Sequence, residues 1–260
     1  MGVLNVTPDS FSDGGRFFKV EDAVKCGIKM AEEGADIIDV GGESSRPGSD
    51  PVTIDEELSR VIPVIETLSK EIDIPISIDT YKSDVAKRAL EAGAEMINDI
   101  SALRFDPEMK EVAAEYQVPI VLMHIKGTPK NMQENPYYED VREEITEYLR
   151  ESIQMAENAG IKRENIIIDP GIGFGKRVED NLNILKNLNK FSILNHLILV
   201  GPSRKSFIGK ILDLPVEERL EGSLAALAVS IMNGANIVRV HDVKESKRVA
   251  GLVDTIIDVN

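Results

Sequence analysis

Ile166-Ile167-Ile168-Asp169-Pro170-Gly171-Ile172-Gly173-Phe174-Gly175-Lys176 sets the pattern for the whole chain. Three β-branched residues in a row make a strand covered on both faces, as in a parallel sheet. Asp169 stands where that strand leaves the core, and the glycines after it allow a sharp turn and a close backbone approach to a flat or anionic ligand. The loop is not a Walker phosphate loop: Arg177 follows Lys176 where Ser or Thr is needed, and the glycine spacing is wrong. Gly-x-Gly-x-Gly is not the dinucleotide fingerprint either. A carboxylate at a strand end beside a glycine loop carrying Phe174 suits a planar, nitrogen-rich ring better than a phosphate.

The same unit recurs from end to end. Val3-Leu4 leads to Asn5, Asp36 to Val40 to Gly41-Gly42-Glu43, and Pro75 to Ile78 to Asp79. Met96-Ile97 leads to Asn98-Asp99, Val118 to Met123 to His124, Leu197 to Val200 to Ser203-Arg204-Lys205, and Ile237-Val238 to Arg239-Val240-His241. With Ile166 to Ile168 this gives about eight strands. Helical periodicity fills the intervals Glu21 to Gly34, Thr53 to Glu71, Ser83 to Gly93, Pro107 to Tyr116, Tyr138 to Gly160, Glu179 to Asn189, Pro215 to Gly234 and Val243 to Ile257. Strands alternating with helices imply a parallel sheet. Periodicity alone does not separate an open doubly wound sheet from a closed one; eight units in 260 residues, with polar groups ending nearly every strand, favour a closed (β/α)8 TIM barrel. No linker breaks the pattern, so residues 1–260 read as one α/β domain.

Composition narrows the function. A formal net charge of -15 offers no field to draw in a nucleic acid or an anionic membrane. The single cysteine, Cys26, excludes an internal disulfide and sits in an amphipathic helix, where a structural thiol is the expected role. Without a long apolar run or a signal peptide, a soluble cytoplasmic protein is expected.

Barrel enzymes place their chemistry at strand C-termini. Here those ends carry Asn5, Asp79, Asn98, His124, Asp169, Lys205, Arg239 and His241. The mid-chain carboxylates and amide can read the donor edge of a heterocycle. Asn5, Arg239 and His241 come from the first and last strands, which a ring brings together; Arg239 and His241, two apart, share a face and suit a diphosphate. The Asn5 amide can serve Mg2+, a hard cation that takes few protein ligands besides substrate phosphates. Each group also has an ordinary reading. A lone strand-end Asp is commonly a cap or loop tie, Arg239 has Asp258 or another surface carboxylate to pair with, His196 reads as structural or exposed, and His124 reads either way. The three histidines show no zinc spacing. The conjunction over most strands carries the argument.

These residues also fall in blocks. Leu4-Asn5-Val6-Thr7-Pro8-Asp9-Ser10-Phe11-Ser12-Asp13-Gly14-Gly15 resembles the opening signature of the dihydropteroate synthase family. Asp39 to Gly48, Asp79-Thr80, Ile97 to Ile100, Leu122-Met123-His124, Asp169 to Lys176, Ser203 to Ser206 and Arg239 to Asp242 resemble its further blocks, so the likeness spans the chain. The resemblance implies a TIM barrel that condenses (7,8-dihydropterin-6-yl)methyl diphosphate with 4-aminobenzoate, giving dihydropteroate and diphosphate in folate biosynthesis. It implies a pterin site of Asp79, Asn98, Met123, Asp169, Phe174 and Lys205, a diphosphate site of Asn5, Arg239 and His241 with Mg2+ on Asn5, and an amine side of Phe11, Ser45, Arg46 and Ser206. Lys205, Arg239 and Asp169 are its catalytic candidates, and a homodimer through the last helices is implied. Ser45 stands where many members have Thr, Ile172 where Phe is common, and Pro202 where a small or apolar residue is usual; none removes a hydrogen-bonding group. Met1 opens the first block directly, so a short first strand or a truncated start is expected. A pterin-dependent methyltransferase shares an Asp-Asn-Asp ring set but has no use for Arg239 and His241. A non-catalytic pterin-binding barrel has no use for Asp9, Phe11, Arg46 and Pro47.

Overall fold

The computed structural model describes residues 1–7 and 20–259. Its strands are β1 (Gly2–Asn5), β2 (Ile38–Gly41), β3 (Ile76–Asp79), β4 (Met96–Asp99), β5 (Ile120–Met123), β6 (Ile166–Asp169), β7 (Leu197–Val200) and β8 (Ile237–Val238). They pair in parallel in sequence order from β1 to β8. Each crossover is helical: α1 (Val20–Glu32), α2 (Ile54–Glu71), α3 (Ser83–Glu91), α4 (Met109–Tyr116), α5 (Val141–Asn158), α6 (Val178–Lys186), then α7 (Ser206–Leu212) and α8 (Leu220–Met232) between β7 and β8, with α9 (Val243–Ile257) last. Side-chain caps set two of the starts. The Thr53 hydroxyl accepts from Glu56 N at 3.2 Å, and Asp140 Oδ1 accepts from Arg142 N at 2.9 Å. Among the described residues, no helix is long and apolar enough to cross a membrane.

Strand alternation sorts the side chains. Leu4, Ile38, Val40, Ile76, Ile78, Ile97, Ile120, Leu122, Ile166, Ile168 and Val200 face the helices in the main core. Met1, Met96, Val121, Ile167 and Leu199 form a second cluster on the concave face. With a period of two, that concave face continues upward to Asn5, Asp79, Asn98, Met123, Asp169 and Arg239. The candidate residues therefore share one face and one end of the sheet.

The sheet departs from the expected closed barrel at one junction. Seven neighbouring pairs form ladders, but β8 and β1 do not. Their edges meet through one isolated bridge, Gly2 to Val240, with Val3 N donating to Val240 O at 3.0 Å and Val240 N to Met1 O at 2.9 Å. β8 is only two residues long, so its edge is spent before a ladder can register. The expected short first strand is corrected: β1 has four residues, as many as each of β2 to β7, and the Met1 ammonium donates to Val238 O at 3.0 Å. A further difference is α7, unforeseen because seven residues hold barely two helical turns of periodicity.

Candidate active site

Strand register brings the ring-binding candidates together. Asn5 pairs with Gly41, Gly41 with Asp79, and Asp79 with Asn98, so four neighbouring strands end in one row. Across the curl, Met123 pairs with Asp169. Burial pushes the Asp79 carboxyl up to about 7, against the pull of Arg239. It pushes Asp169 up to about 6, although Gly171 N donates to Asp169 Oδ1 at 2.6 Å. Two carboxylates with little water around them make strong acceptors for N–H groups.

The glycine loop serves the protein's own packing. Gly171, Gly173 and Gly175 have φ of 71°, 83° and 66°, a region other residues rarely adopt. A Cβ on Gly171 would lie 1.9 Å from the His124 carbonyl oxygen, and one on Gly175 would lie 2.5 Å from that of Lys126. A Cβ on Gly173 would stand 3.0 Å from Lys205 Cδ. The expected close approach to a ligand is therefore corrected: the loop after β5 and Lys205 fill that space. What the loop offers a ligand is Phe174, packed with Met123, Ile100, Ile125 and Met132. Lys205 Nζ lies 4.0 Å from the Phe174 ring centroid.

Beneath the loop, Lys176 is buried with its Nζ 2.9 Å from His124 Nδ1 and 3.0 Å from Phe174 O. Burial brings this lysine down to about 7 and holds the His124 imidazole well below its usual range. His124 thus ties the loops after β5 and β6 together. His196, whose Nδ1 is 3.2 Å from Ile166 O, is structural as expected. Cys26 is a half-buried thiol on α1, pushed up by burial.

Arg239 departs from its assignment to the phosphate end alone. Its Nη2 donates to Asp79 Oδ2 at 2.6 Å and its Nε to Asp39 Oδ2 at 2.6 Å, so neither Asp258 nor another surface carboxylate is its partner. Burial opposes the charge, but Asp39 and Asp79 outweigh it and keep the guanidinium protonated. Lys205, at the start of α7, is lowered to about 8 by burial and by Arg239. His241 lies beside Ser203, with Nδ1 3.0 Å from Ser203 Oγ. His241 is exposed, yet the protein around its ring and the cations Arg239, Lys205 and Arg204 push it down to about 4, below its ordinary range and so neutral at pH 7. Arg204 grips both oxygens of Asp242, at 2.9 and 2.7 Å, tying the loop after β7 to the loop after β8.

The amine-side candidates are less gathered. Ser206 is exposed at the first turn of α7, Ser45 is half-buried, and Arg46 is exposed on the loop after β2. Phe11 and Asp9 lie outside the described residues. The loop after β2 is stapled at its base: Glu43 accepts from Val52 N at 2.9 Å, from Tyr81 Oη at 2.7 Å and from Lys82 Nζ at 2.7 Å. Lys82 Nζ also donates to Glu57 Oε2 at 2.6 Å. Among the described residues, no cluster of three or more His, Cys, Asp or Glu could hold a metal. Sequence reasoning passed over Asp39, Lys176 and the Glu43–Lys82 staple. Asp39 did leave a signal, a charge inside an apolar strand, but only strand-end residues were gathered.

Comparison with known proteins shows the family of the chain. The pterin binding enzyme family matches residues 1–241. The chain is 50% identical over 258 residues to the dihydropteroate synthase of Bacillus subtilis, covering 99% of this chain and 88% of that one. It is 49% identical over 254 residues to the Escherichia coli dihydropteroate synthase, covering 98% and 90%. The Yersinia pestis dihydropteroate synthase, solved in a sulfonamide drug complex, matches with a TM-score of 0.95 at 42% identity, over 99% of this chain and 94% of that one. The Xanthomonas albilineans dihydropteroate synthase with 4-aminobenzoic acid matches with a TM-score of 0.94 at 45% identity, over 100% and 93%.

Proposed function

The chain belongs to the pterin binding enzymes and, within them, to the dihydropteroate synthases; from that premise we propose how its residues divide the work of a transferase acting on a pterin diphosphate and 4-aminobenzoate. The observation that carries the division is the Arg239 bridge, a cation between the ring-binding carboxylate Asp79 and the end of the sheet where Asn5 and His241 lie. Asp79, Asn98 and Asp169 accept from the ring's N–H groups, while Met123 and Phe174 line its faces. Arg239, Lys205 and neutral His241 meet the diphosphate side. As the methylene C–O bond to diphosphate breaks, the carboxylates around the ring favour the positive charge left on the pterin, and the cations favour the departing anion. The C–N bond then forms and the amine gives up one proton. No side chain acts as a nucleophile. Ser45, Arg46, Phe11 and Ser206 belong to the amine side.

Mg2+ fits the donor set in one limited way. Asn5 ends β1 on the concave face and makes no side-chain hydrogen bond with the described residues, so its amide oxygen is free to join phosphate oxygens around a hard cation. Bound there, Mg2+ would add counter-charge for the diphosphate. Eight parallel strands that pair in sequence order support reading residues 1–260 as one α/β domain. A cytoplasmic location and a homodimer complete the reading. Val229 and Met232 on α8 and Leu252 and Ile256 on α9 are exposed large apolar residues on the last helices. Light scattering should give twice the chain mass, and a monomer across micromolar concentrations would remove the homodimer.

Diphosphate release from purified protein, Mg2+, pterin diphosphate and 4-aminobenzoate tests the whole scheme. Its pH dependence tests the residues. Carboxylates at about 7 and about 6 must be ionised to accept, so kcat/KM falls as pH drops through that range. Lys205, at about 8, must be protonated, so kcat/KM falls again as pH rises through 8. A flat profile from pH ~5.5 to ~9 would sink these assignments. Pterin binding without diphosphate release, for any aromatic amine, would favour a non-catalytic barrel.

A further inference from the structure

Asp39 takes no part in the scheme above, yet it touches both halves of it. It lies on the concave face of β2, one layer below Asp79, and is fully buried at 0% exposure, so no substrate reaches it. A single oxygen receives two donors: Arg239 Nε at 2.6 Å and Asn98 Nδ2 at 3.0 Å both point at Asp39 Oδ2. Oδ1 has no partner among the described residues. Burying a carboxylate is costly even when it is paired, so an Asp held this deep in a strand, with one oxygen unpartnered, calls for an explanation.

We propose that Asp39 is the positioning residue of this site, fixing from below which atom Asn98 shows the ring and where Arg239 stands to meet the diphosphate. Two geometric consequences support this. Asn98 turns its amide nitrogen toward Asp39 and donates one of its two N–H groups there. Its amide oxygen has no hydrogen-bond partner among the described residues, so Asn98 has an acceptor to offer a ring edge that donates. Arg239 has a planar fork, and Asp39 holds only its inner nitrogen, Nε. The outer nitrogens turn about that anchor: Nη2 leaves Asp79 for phosphate oxygens while Asp79 accepts from the ring. Nη1 makes no hydrogen bond to the described residues and is available throughout. Without the anchor, a guanidinium released from Asp79 has no fixed place.

The inference rests on the reading that Arg239 meets diphosphate and Asn98 meets the ring, so the test carries controls for both. Calorimetry would measure pyrophosphate with Mg2+, and separately a pterin lacking the diphosphate, on wild type and on Asp39→Asn, Arg239→Ala and Asn98→Ala. Asp39→Asn should weaken each ligand by about tenfold, the loss expected for one misplaced charge-assisted contact. A structural role alone would lower the melting temperature and leave both affinities in place. An Asp39→Asn protein that binds either ligand within about twofold of wild type overturns the proposal. If Arg239→Ala binds pyrophosphate normally, or Asn98→Ala binds the pterin normally, the underlying assignment fails first and takes the proposal with it. Should Asp39→Asn not fold, a crystal structure of the wild type with pyrophosphate decides. Arg239 Nε still on Asp39, with Nη2 moved off Asp79, is the expected result; Nε detached from Asp39 overturns the proposal.

Discussion

Arg239→Ala is expected to lower kcat/KM by on the order of 10²–10³, the range seen when a preorganised donor to developing charge is removed. The guanidinium is already charged and anchored at Nε on buried Asp39 at 2.6 Å, so the free enzyme has met part of the cost of orienting it. Alanine removes that charge and leaves Asp39 and Asp79 facing each other in a poorly hydrated site. Breaking a buried pair by deleting one partner costs about 3–5 kcal/mol. Asp79, already raised to about 7 with the arginine present, escapes part of that by taking a proton, so the stability loss should sit at the lower end. The same protonation removes an acceptor for the ring, adding a defect in pterin binding. Steady-state kinetics with both substrates varied, alongside a thermal melt, separates the two effects. A folded variant with near-normal kcat/KM would remove Arg239 from the chemistry. Lys205→Ala should lose on the order of 10²-fold by the same logic.

Gly171→Ala should be the most damaging added methyl among the described glycines. The added Cβ would lie 1.9 Å from the His124 carbonyl oxygen, a backbone atom at the end of β5 that has no side-chain freedom to yield. The φ of 71° is a second obstacle, since left-handed backbone costs a non-glycine residue about 1–3 kcal/mol. Overpacking of this kind adds about 1–3 kcal/mol. Together they predict a loss on the order of 2–6 kcal/mol, a large share of ordinary stability. Relief has to come from moving the loop, which would carry Phe174 and the Gly171 N–H on Asp169 away with it. Urea unfolding and pterin affinity should fall together. Unchanged stability would mean that the loop does not rest on His124 as described. Gly160→Ala is the control: it also has positive φ, at 92°, but a Cβ there would meet nothing within 4 Å, so only the backbone term applies.

The parts of this fold that could be read from sequence are those governed by local chemistry. Ile166 to Ile168 and Val118 to Met123 announce buried strands by composition, and helix starts such as Thr53 and Asp140 carry their own caps. Because a parallel sheet in sequence order puts every strand end on one rim, listing strand ends recovered Asn5, Asp79, Asn98, Asp169 and Arg239 in their spatial grouping. What stayed hidden depends on pairing across distance. Arg239 finds Asp79 across 160 positions, and no local pattern encodes that contact. The Asp169 loop looked open to a ligand because glycine reports only permissiveness; which atoms fill the space is a property of the loop after β5. Asp39 was hidden by its place one layer down, and α7 by its seven residues.

The glycine loop also implies an uneven tolerance to sequence change around the site. Gly171, Gly175, Lys176 and His124 lock the loops after β5 and β6 together through backbone contacts and buried polar pairs. On that side of the mouth almost any substitution is also a folding mutation. The loop after β2 is pinned only at its base by Glu43 and Lys82, while Arg46, Pro47 and Gly48 are exposed above it. Substitution is therefore expected to be tolerated more freely on the exposed Arg46 loop, proposed for the amine, than on the wall around Gly171, proposed for the ring. An inhibitor that leans on that wall should meet a high barrier to resistance, and one that leans on the Arg46 loop a low one.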